Sequence, residues 1–385
     1  MSTYSQYGSG MFEGADLIAN EAYAGAVGGY RAIEENSINM HKIFESVIGR
    51  DFAEAYTEMG VLSESTLEAM NEAAVGGIWE KVKAFFKKIG EKILGILKAF
   101  KDKIVGTFTR DGKALVKKFE KQILKKVNTS VYKESFKWKW SENALDLVQN
   151  KGDLAKSLTD KIAGSEIDKE IRKQYDFANK TFDARTKGGN LEDANEKDKE
   201  KYKGYVLDAE KLETYEEKAY STLLGESTTK SDFAKDYAEK TLGDTEEKEG
   251  FDSSDYSTVK NILENGGKVL GWISKEESEV KKYCKDQIKK AEEIQKETDK
   301  LASKEDYKVN ASLANTYATN VIKLGNIATT ALTTSINCYM NAVKSSMKMA
   351  RAVWVKAATY GGKSESALME AIDQVSNYEV DEIFG

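Results

Sequence analysis

Residues 78–104, IWEKVKAFFKKIGEKILGILKAFKDKI, show the clearest periodicity in the chain. Apolar side chains recur at steps of three and four, which predicts an amphipathic α-helix with one continuous apolar face. The predicted interaction face consists of Ile78, Val82, Phe85, Phe86, Ile89, Ile93, Leu97, Phe100 and Ile104. The opposite, basic face carries Lys81, Lys87, Lys88, Lys92 and Lys101. The sequence leaves open which partner covers the apolar face.

Charge changes sign immediately before this helix. Residues 1–75 contain 12 acidic and 3 basic side chains, a net charge of -9. Residues 76–127 contain 15 basic and 5 acidic side chains, a net charge of +10. Neighbouring blocks of opposite charge predict either mutual masking or different partners. The Gly76-Gly77 pair lies between the blocks and is interpreted as a helix stop and a segment boundary.

Four interpretations of the basic helix follow from this pattern. In the first, its apolar face is ordinary core and its lysines lie in solvent. In the second, the acidic N-terminal segment masks the helix. In the third, the helix lies on a membrane, with Trp79, Phe85 and Phe86 as interfacial anchors. In the fourth, its lysines neutralise nucleic-acid phosphates without reading sequence.

Four segments are predicted along the 385-residue chain. Residues 1–75 form an acidic helical N-terminal segment, and residues 76–127 form basic amphipathic helices. Residues 128–272 form a charged, tyrosine-rich region of helices and loops, in which Phe136, Trp138 and Trp140 alternate as in a half-buried strand. Residues 273–385 form a long helical hairpin with an acidic tail.

The C-terminal segment predicts two long helices. Ser274 to Glu277 match a capping box, and the following residues repeat at heptad spacing up to about residue 303. A second helix, from about residue 309 to residue 360, has the same spacing, and the short link favours an antiparallel, coiled-coil-like pair. Residues 324–343 carry no charge but contain three asparagines and several threonines, which favours a buried helix over a membrane span. The fold class is therefore predicted to be mainly α.

The composition offers little material for catalysis. One histidine and two cysteines cannot form a usual zinc site within one chain. Nucleotide-binding GxxxxGK[ST], HExxH and CxxC motifs do not occur. The absence of proline fits long helices. We expect no enzyme, no cofactor and no metal site.

An acidic segment ending in LEAMNEAA, followed by GGIWEKVKAFFKKIGEKILGILKAF, resembles the virion structural and internal head proteins of large tailed bacteriophages. The resemblance covers about residues 60–105. It implies a non-enzymatic virion protein, assembled in the host cytoplasm, whose partners are other copies and other virion proteins. In that class a maturation protease cuts after a glutamate, and the closest match here lies between Glu72 and Ala73.

Two functions of other classes remain open from the residues. A membrane-active, pore-forming or toxin-like protein would insert the apolar face of residues 78–104. A DNA-condensing protein would use the lysines of the same helix, and its binding would weaken steeply with salt.

Overall fold

The computed structural model describes residues 65–66, 75–103, 110–133, 136–149, 156–185, 207–303 and 311–360. Helices dominate these ranges, which confirms the mainly α class. The helices are α1 (Val75–Lys103), α2 (Arg110–Asn128), α3 (Ala144–Gln149), α4 (Leu158–Ala163), α5 (Glu166–Arg185), α6 (Ala209–Leu224), α7 (Phe233–Leu242), α8 (Ser253–Glu264), α9 (Gly266–Ala302) and α10 (Ala311–Thr359). The strands are β1 (Lys137–Ser141) and β2 (Thr245–Glu249).

Helix α10 is the centre of the fold. It packs against α1 to α8 and against β1. Residues 331–340 are all buried, so this part of the helix has no solvent face. Its polar residues are accommodated locally, because Thr329 and Thr333 donate their hydroxyls to the carbonyls of Gly325 and Thr329, each at 2.8 Å. The prediction of a buried helix over residues 324–343 is confirmed.

Helices α1 and α9 pack against each other over much of their length. The Lys83 Nζ atom donates to Gln295 Oε1 at 2.7 Å. Further along α1, a Cβ added to Gly90 would stand 3.0 Å from the Cys284 Sγ atom. Later residues of α1 therefore contact earlier residues of α9, so the two helices run antiparallel.

The two long helices α9 and α10 are both present, and they too run antiparallel. Trp272, near the start of α9, contacts Tyr339 with ring centroids 4.3 Å apart. Earlier in α10, Gly325 lies against Phe86, which stands in α1 between Lys83 and Gly90, the residues that meet Gln295 and Cys284 of α9. The predicted coiled-coil-like seam is wrong in the partner that it assigns to α9. The heptad residues of α9 pack mainly against α1 and α5, because the large apolar face of α1 fills the position that the second long helix was expected to take.

One hydrophobic core extends from Ile78 to Ala358 and includes side chains from all three predicted segments after residue 75. The predicted boundary at residues 272 and 273 falls inside α9. Gly76-Gly77, interpreted as a helix stop, lies in the first turn of α1. The predicted capping box at Ser274 to Glu277 is also wrong, since these residues lie inside α9.

Strands β1 and β2 pair antiparallel, with Trp138 opposite Lys248 and Trp140 opposite Glu246. Both tryptophans are buried, whereas Lys137 is exposed. Alternating burial of this kind is typical of a strand with one face on the core. The predicted half-buried strand is confirmed, and its aromatic side chains belong to the core.

Candidate interaction surface

The predicted apolar interaction face of α1 lies in the protein's own core. Every described member is buried, and Phe85 and Phe86 contact each other edge to face with ring centroids 5.3 Å apart. Helices α9 and α10 cover this face. Ile104 lies outside the described residues. Of the four interpretations of the helix, the ordinary core accounts for its apolar side, so a partner cannot reach these side chains unless the core opens.

The predicted basic face of α1 divides into two groups. Lys81, Lys87 and Lys88 are exposed, whereas Lys92 and Lys101 are half-buried. Exposed acidic residues, Glu91 and Asp102, share the same surface. This face of α1 is therefore a mixed surface and does not present a continuous row of positive charge.

The proposed processing residues, Glu72 and Ala73, lie outside the described residues. Helix α1 begins at Val75, and its first large buried side chain is Ile78. The hypothetical cleavage position therefore lies between residues 65–66, which are helical with Thr66 buried, and the start of α1.

Helix α2 presents the more uniform basic surface. It carries seven basic and two acidic residues. Four exposed lysines follow one another at intervals of four residues, and we call them the α2 lysine row: Lys113, Lys117, Lys121 and Lys125. Residues four apart lie about 6 Å apart on one side of a helix, so the row extends over about 18 Å.

The α2 lysine row has no acidic partner among the ion pairs of the described residues. Each like-charged pair at this spacing costs about 0.2–0.5 kcal/mol. The nearest carboxylate on the helix, Glu120, is engaged elsewhere: it accepts hydrogen bonds from Lys260 Nζ and, at 3.1 Å, from the Tyr256 hydroxyl. These contacts lower the pKa of Glu120, with the Lys260 hydrogen bond as the larger cause.

Apolar side chains accompany the lysines. Leu124 is 39% exposed and Val131 is 42% exposed, and they are the two large hydrophobic residues that are exposed in the described part of the chain. Leu124 lies between Lys121 and Lys125 in sequence. Leu124 and the lysines beside it therefore form one basic and apolar surface on the outer side of α2.

Helix α2 is held firmly at the end of the central helix. The Lys126 Nζ atom donates to the carbonyls of Ala358 at 2.7 Å and Tyr360 at 2.6 Å. Gln122 Nε2 also donates to the Ala358 carbonyl at 2.7 Å. In the other direction, Trp354 Nε1 donates to the Leu115 carbonyl at 3.1 Å. The bonds from Lys126 and Gln122 satisfy carbonyls at and just after the end of α10. Together with the Trp354 bond, they fix the orientation in which α2 displays its lysines.

The first turn of α2 fits closely against α8. A Cβ atom added at Gly112 would clash with the Leu263 backbone carbonyl, so no other residue fits there without movement of the backbone. The apolar side of α2, with Val116, Phe119 and Ile123, is buried. Packing on α8 and α10 therefore leaves the lysine row on the outside.

The buried carboxylates of the described chain accept hydrogen bonds from neighbouring groups of the protein. Asp168 accepts from Arg172 Nε at 2.7 Å and from Gln287 Nε2 at 3.0 Å, while burial raises the pKa of its carboxyl. Glu276 accepts from the Leu158 backbone N–H at 3.1 Å and from the Thr159 hydroxyl at 2.9 Å. Burial likewise raises the pKa of Glu276. The described residues hold no group of three metal-binding side chains, and no described helix is both long and apolar enough to cross a membrane.

No family model matches this chain, and no similar protein is found among curated proteins or solved structures. The described residues form a mainly α protein, and the outer side of α2 carries a nearly uniform positive charge.

The sequence contains a signal for the α2 lysine row that the prediction for residues 78–104 does not include. The spacing of Lys113, Lys117, Lys121 and Lys125 in KALVKKFEKQILKK is visible without a structure. The apolar periodicity of residues 78–104 is the stronger pattern in the sequence, so the prediction of an interaction surface falls on α1. Only the packing shows that the charged side of α1 is mixed and that of α2 is nearly uniform.

Proposed function

We propose that the chain is a non-enzymatic structural protein of a tailed-phage virion that assembles with other copies and with other virion proteins. The observation that carries this proposal is the α2 lysine row beside exposed Leu124 on a rigidly anchored helix. The sequence resemblance over residues 60–105 supplies the virion class. The contact between molecules is made by charged outer helix surfaces, since the apolar face of α1 is used within the core.

Several features of the fold support a structural role. The long central helix and the shared core give a body whose surfaces keep fixed positions relative to one another. The buried carboxylates stabilise helices of the same body. Such a body suits a component that presents defined surfaces to neighbours.

Nucleic-acid binding is the second candidate, because the same four lysines can neutralise phosphates. A sequence-independent complex with DNA would lose affinity steeply between low and moderate salt. The exposed Leu124 favours a protein partner, since an apolar side chain gains nothing from a phosphate backbone. Retention on DNA that disappears with Lys117→Glu/Lys121→Glu, in a protein that stays monomeric, would support DNA binding instead.

The processing hypothesis remains part of the proposal. Cleavage after Glu72 would remove the acidic excess of residues 1–72 and change the net charge from -6 to about +3, counting the formal charges of the sequence. The α2 lysine row would then face partners without the acidic segment. N-terminal sequencing of protein from particles tests this, and a mature chain that starts at residue 1 or 2 would rule it out.

Sedimentation velocity of the full chain over a concentration series tests the assembly function. We expect species larger than the 42.9 kDa chain to form as concentration rises, and to dissociate as salt screens the charges. A monomer at every concentration and salt would contradict it.

A further inference from the structure

Helix α6 carries the complement of the α2 lysine row. Glu210, Glu213 and Glu217 are exposed and recur at steps of three and four, and we call them the α6 glutamate stripe. None of the ion pairs among the described residues includes them, whereas the neighbouring Glu216 pairs with Lys230 at 2.7 Å. The stripe therefore presents negative charge that the described part of the molecule leaves unneutralised.

The α6 helix is as firmly held as α2. Its N-cap Asp208 accepts from the Lys211 backbone N–H at 2.9 Å. At the other end, Lys161 and Lys240 donate to the carbonyls of Leu223 and Leu224 at 2.9 and 2.8 Å. The apolar side of α6 is buried on α10 and its neighbours. The glutamates consequently remain on the outer side in a fixed orientation.

Other acidic surfaces of the described chain are less suitable partners for the lysine row. On β2, Glu247 and Glu249 pair with Lys137 at 3.6 and 2.8 Å. On α9, exposed acidic residues alternate with exposed lysines such as Lys289 and Lys296, so that helix shows no run of one sign. On α6, the exposed Lys218 follows Glu217 by one position and so lies about 100° away around the helix. The α6 glutamate stripe therefore keeps one sign of charge at a spacing that matches the lysine row.

We propose that the α2 lysine row of one molecule binds the α6 glutamate stripe of a second copy. Glu213 and Glu217 are four residues apart, as are Lys117 and Lys121, so both pairs present charges about 6 Å apart. Leu124 packs at this contact and excludes water from it, which strengthens the neighbouring ion pairs. This inference rests on the proposed function and names its contact.

The two surfaces differ, so copies can join head to tail into a ring or an open chain. If both surfaces of one copy face the same neighbour, two copies pair reciprocally across a two-fold axis instead. The size of the species at high concentration distinguishes head-to-tail growth from a closed dimer.

A charge-exchange experiment on the full chain tests this contact. In the α2 variant, Lys117→Glu/Lys121→Glu, the α2 and α6 surfaces of each molecule both carry glutamates. In the α6 variant, Glu213→Lys/Glu217→Lys, both surfaces carry lysines. We expect each variant alone to require at least about tenfold more protein than the wild type to assemble, because like charges now face each other. An equimolar mixture should assemble as the wild type does, since every α2 surface again finds an α6 surface of opposite charge.

The matched control is Lys87→Glu/Lys88→Glu on α1, which changes the net charge by the same amount as the α2 variant and should leave assembly unchanged. Circular dichroism checks that every variant keeps its helix content. If the wild type assembles and the α2 variant assembles equally well, the contact is overturned while the assembly function stands. If both variants are monomeric and their mixture stays monomeric, α6 is not the partner. A wild type that is always monomeric overturns the proposed function itself.

Discussion

Glu276 of α9 caps the start of α4 by accepting the backbone N–H of Leu158 at 3.1 Å. Its second carboxylate oxygen accepts the Thr159 hydroxyl at 2.9 Å. The side chain has no exposed surface. A residue that the sequence places in a capping box of its own helix thus stabilises a helix more than one hundred residues away.

Replacement of Glu276 tests this cap. Glu276→Ala leaves the Leu158 N–H without its acceptor in a buried site, and we expect a loss of about 2–3 kcal/mol in the free energy of unfolding. Glu276→Gln keeps an acceptor for Leu158 and a donor for Thr159, so its loss should be much smaller. Urea denaturation at neutral pH measures both. Equal losses for the two variants would show that the hydrogen bonds are unimportant.

The buried Glu276 carboxyl also gives a pH-dependent prediction. Burial raises the pKa of Glu276 in the folded chain above its ordinary value of 4.5. The folded state therefore holds its proton to higher pH than the unfolded state, and folding stability falls as pH rises from the ordinary pKa through the raised one. Glu276→Gln lacks this loss, so its stability relative to the wild type should increase as pH rises above about 4.5. A difference that stays constant from pH 4 to pH 7 would contradict the raised pKa.

Gly325 lets the central helix approach Phe86. A Cβ added there would stand 2.9 Å from the Phe86 ring, which is too close without movement of a core side chain. We expect Gly325→Ala to lower the free energy of unfolding by about 1–3 kcal/mol, less the gain in helix propensity. Gly95→Ala is the control, since nothing lies within 4 Å of its added Cβ, and it should stabilise α1 by up to about 1 kcal/mol. Thermal denaturation of both variants compares the two effects, and stabilisation by Gly325→Ala would mean that the helices have room to separate.

Lys126 and Lys125 have different roles although they are adjacent. Lys126 donates to two carbonyls at the end of α10, and burial lowers the pKa of its amino group. Lys126→Met should therefore cost about 1–2 kcal/mol of stability. Lys125→Met should change stability by less than about 0.5 kcal/mol, because the side chain is exposed, but it should weaken assembly. Chemical denaturation and sedimentation of the same two variants separate the roles, and identical behaviour of both would contradict this division.

Neither cysteine forms a disulfide, and both are buried. Burial raises the pKa of Cys284 to about 12, so its thiolate is scarce at neutral pH. We expect a thiol reagent such as DTNB at pH 8 to label neither cysteine in the native protein and both in denaturant. Rapid labelling of Cys284 in the native state would show that the contact between α1 and α9 opens.

The sequence predicts where helices form better than it predicts which helices pack against each other. Heptad positions such as Val280 and Ile294 are buried as expected, because spacing along a helix determines which side chains share a face. The partner of that face depends on long-range packing. Helix α1 has an apolar face large enough to pack on α9, and no local pattern indicates that it does so in place of α10.

The candidate surface was predictable in part. The lysine spacing on α2 and the glutamate spacing on α6 are both present in the sequence. The sequence does not show which of these charges stay unpaired. Lys126 and Glu120 belong to the same helix as the lysine row but have internal partners. That distinction depends on the positions of α8 and α10.

Zero-length carbodiimide cross-linking of a mixture of ¹⁴N- and ¹⁵N-labelled full-length protein tests the proposed contact most directly. The reagent adds no spacer and joins a carboxylate only to an amino group in direct contact with it, and mass spectrometry separates links within one molecule from links between two. We predict mixed-isotope links that join Lys117 or Lys121 to Glu213 or Glu217. Under assembling conditions, the absence of mixed-isotope links between α2 and α6 would contradict the contact on which the proposed mode of assembly depends.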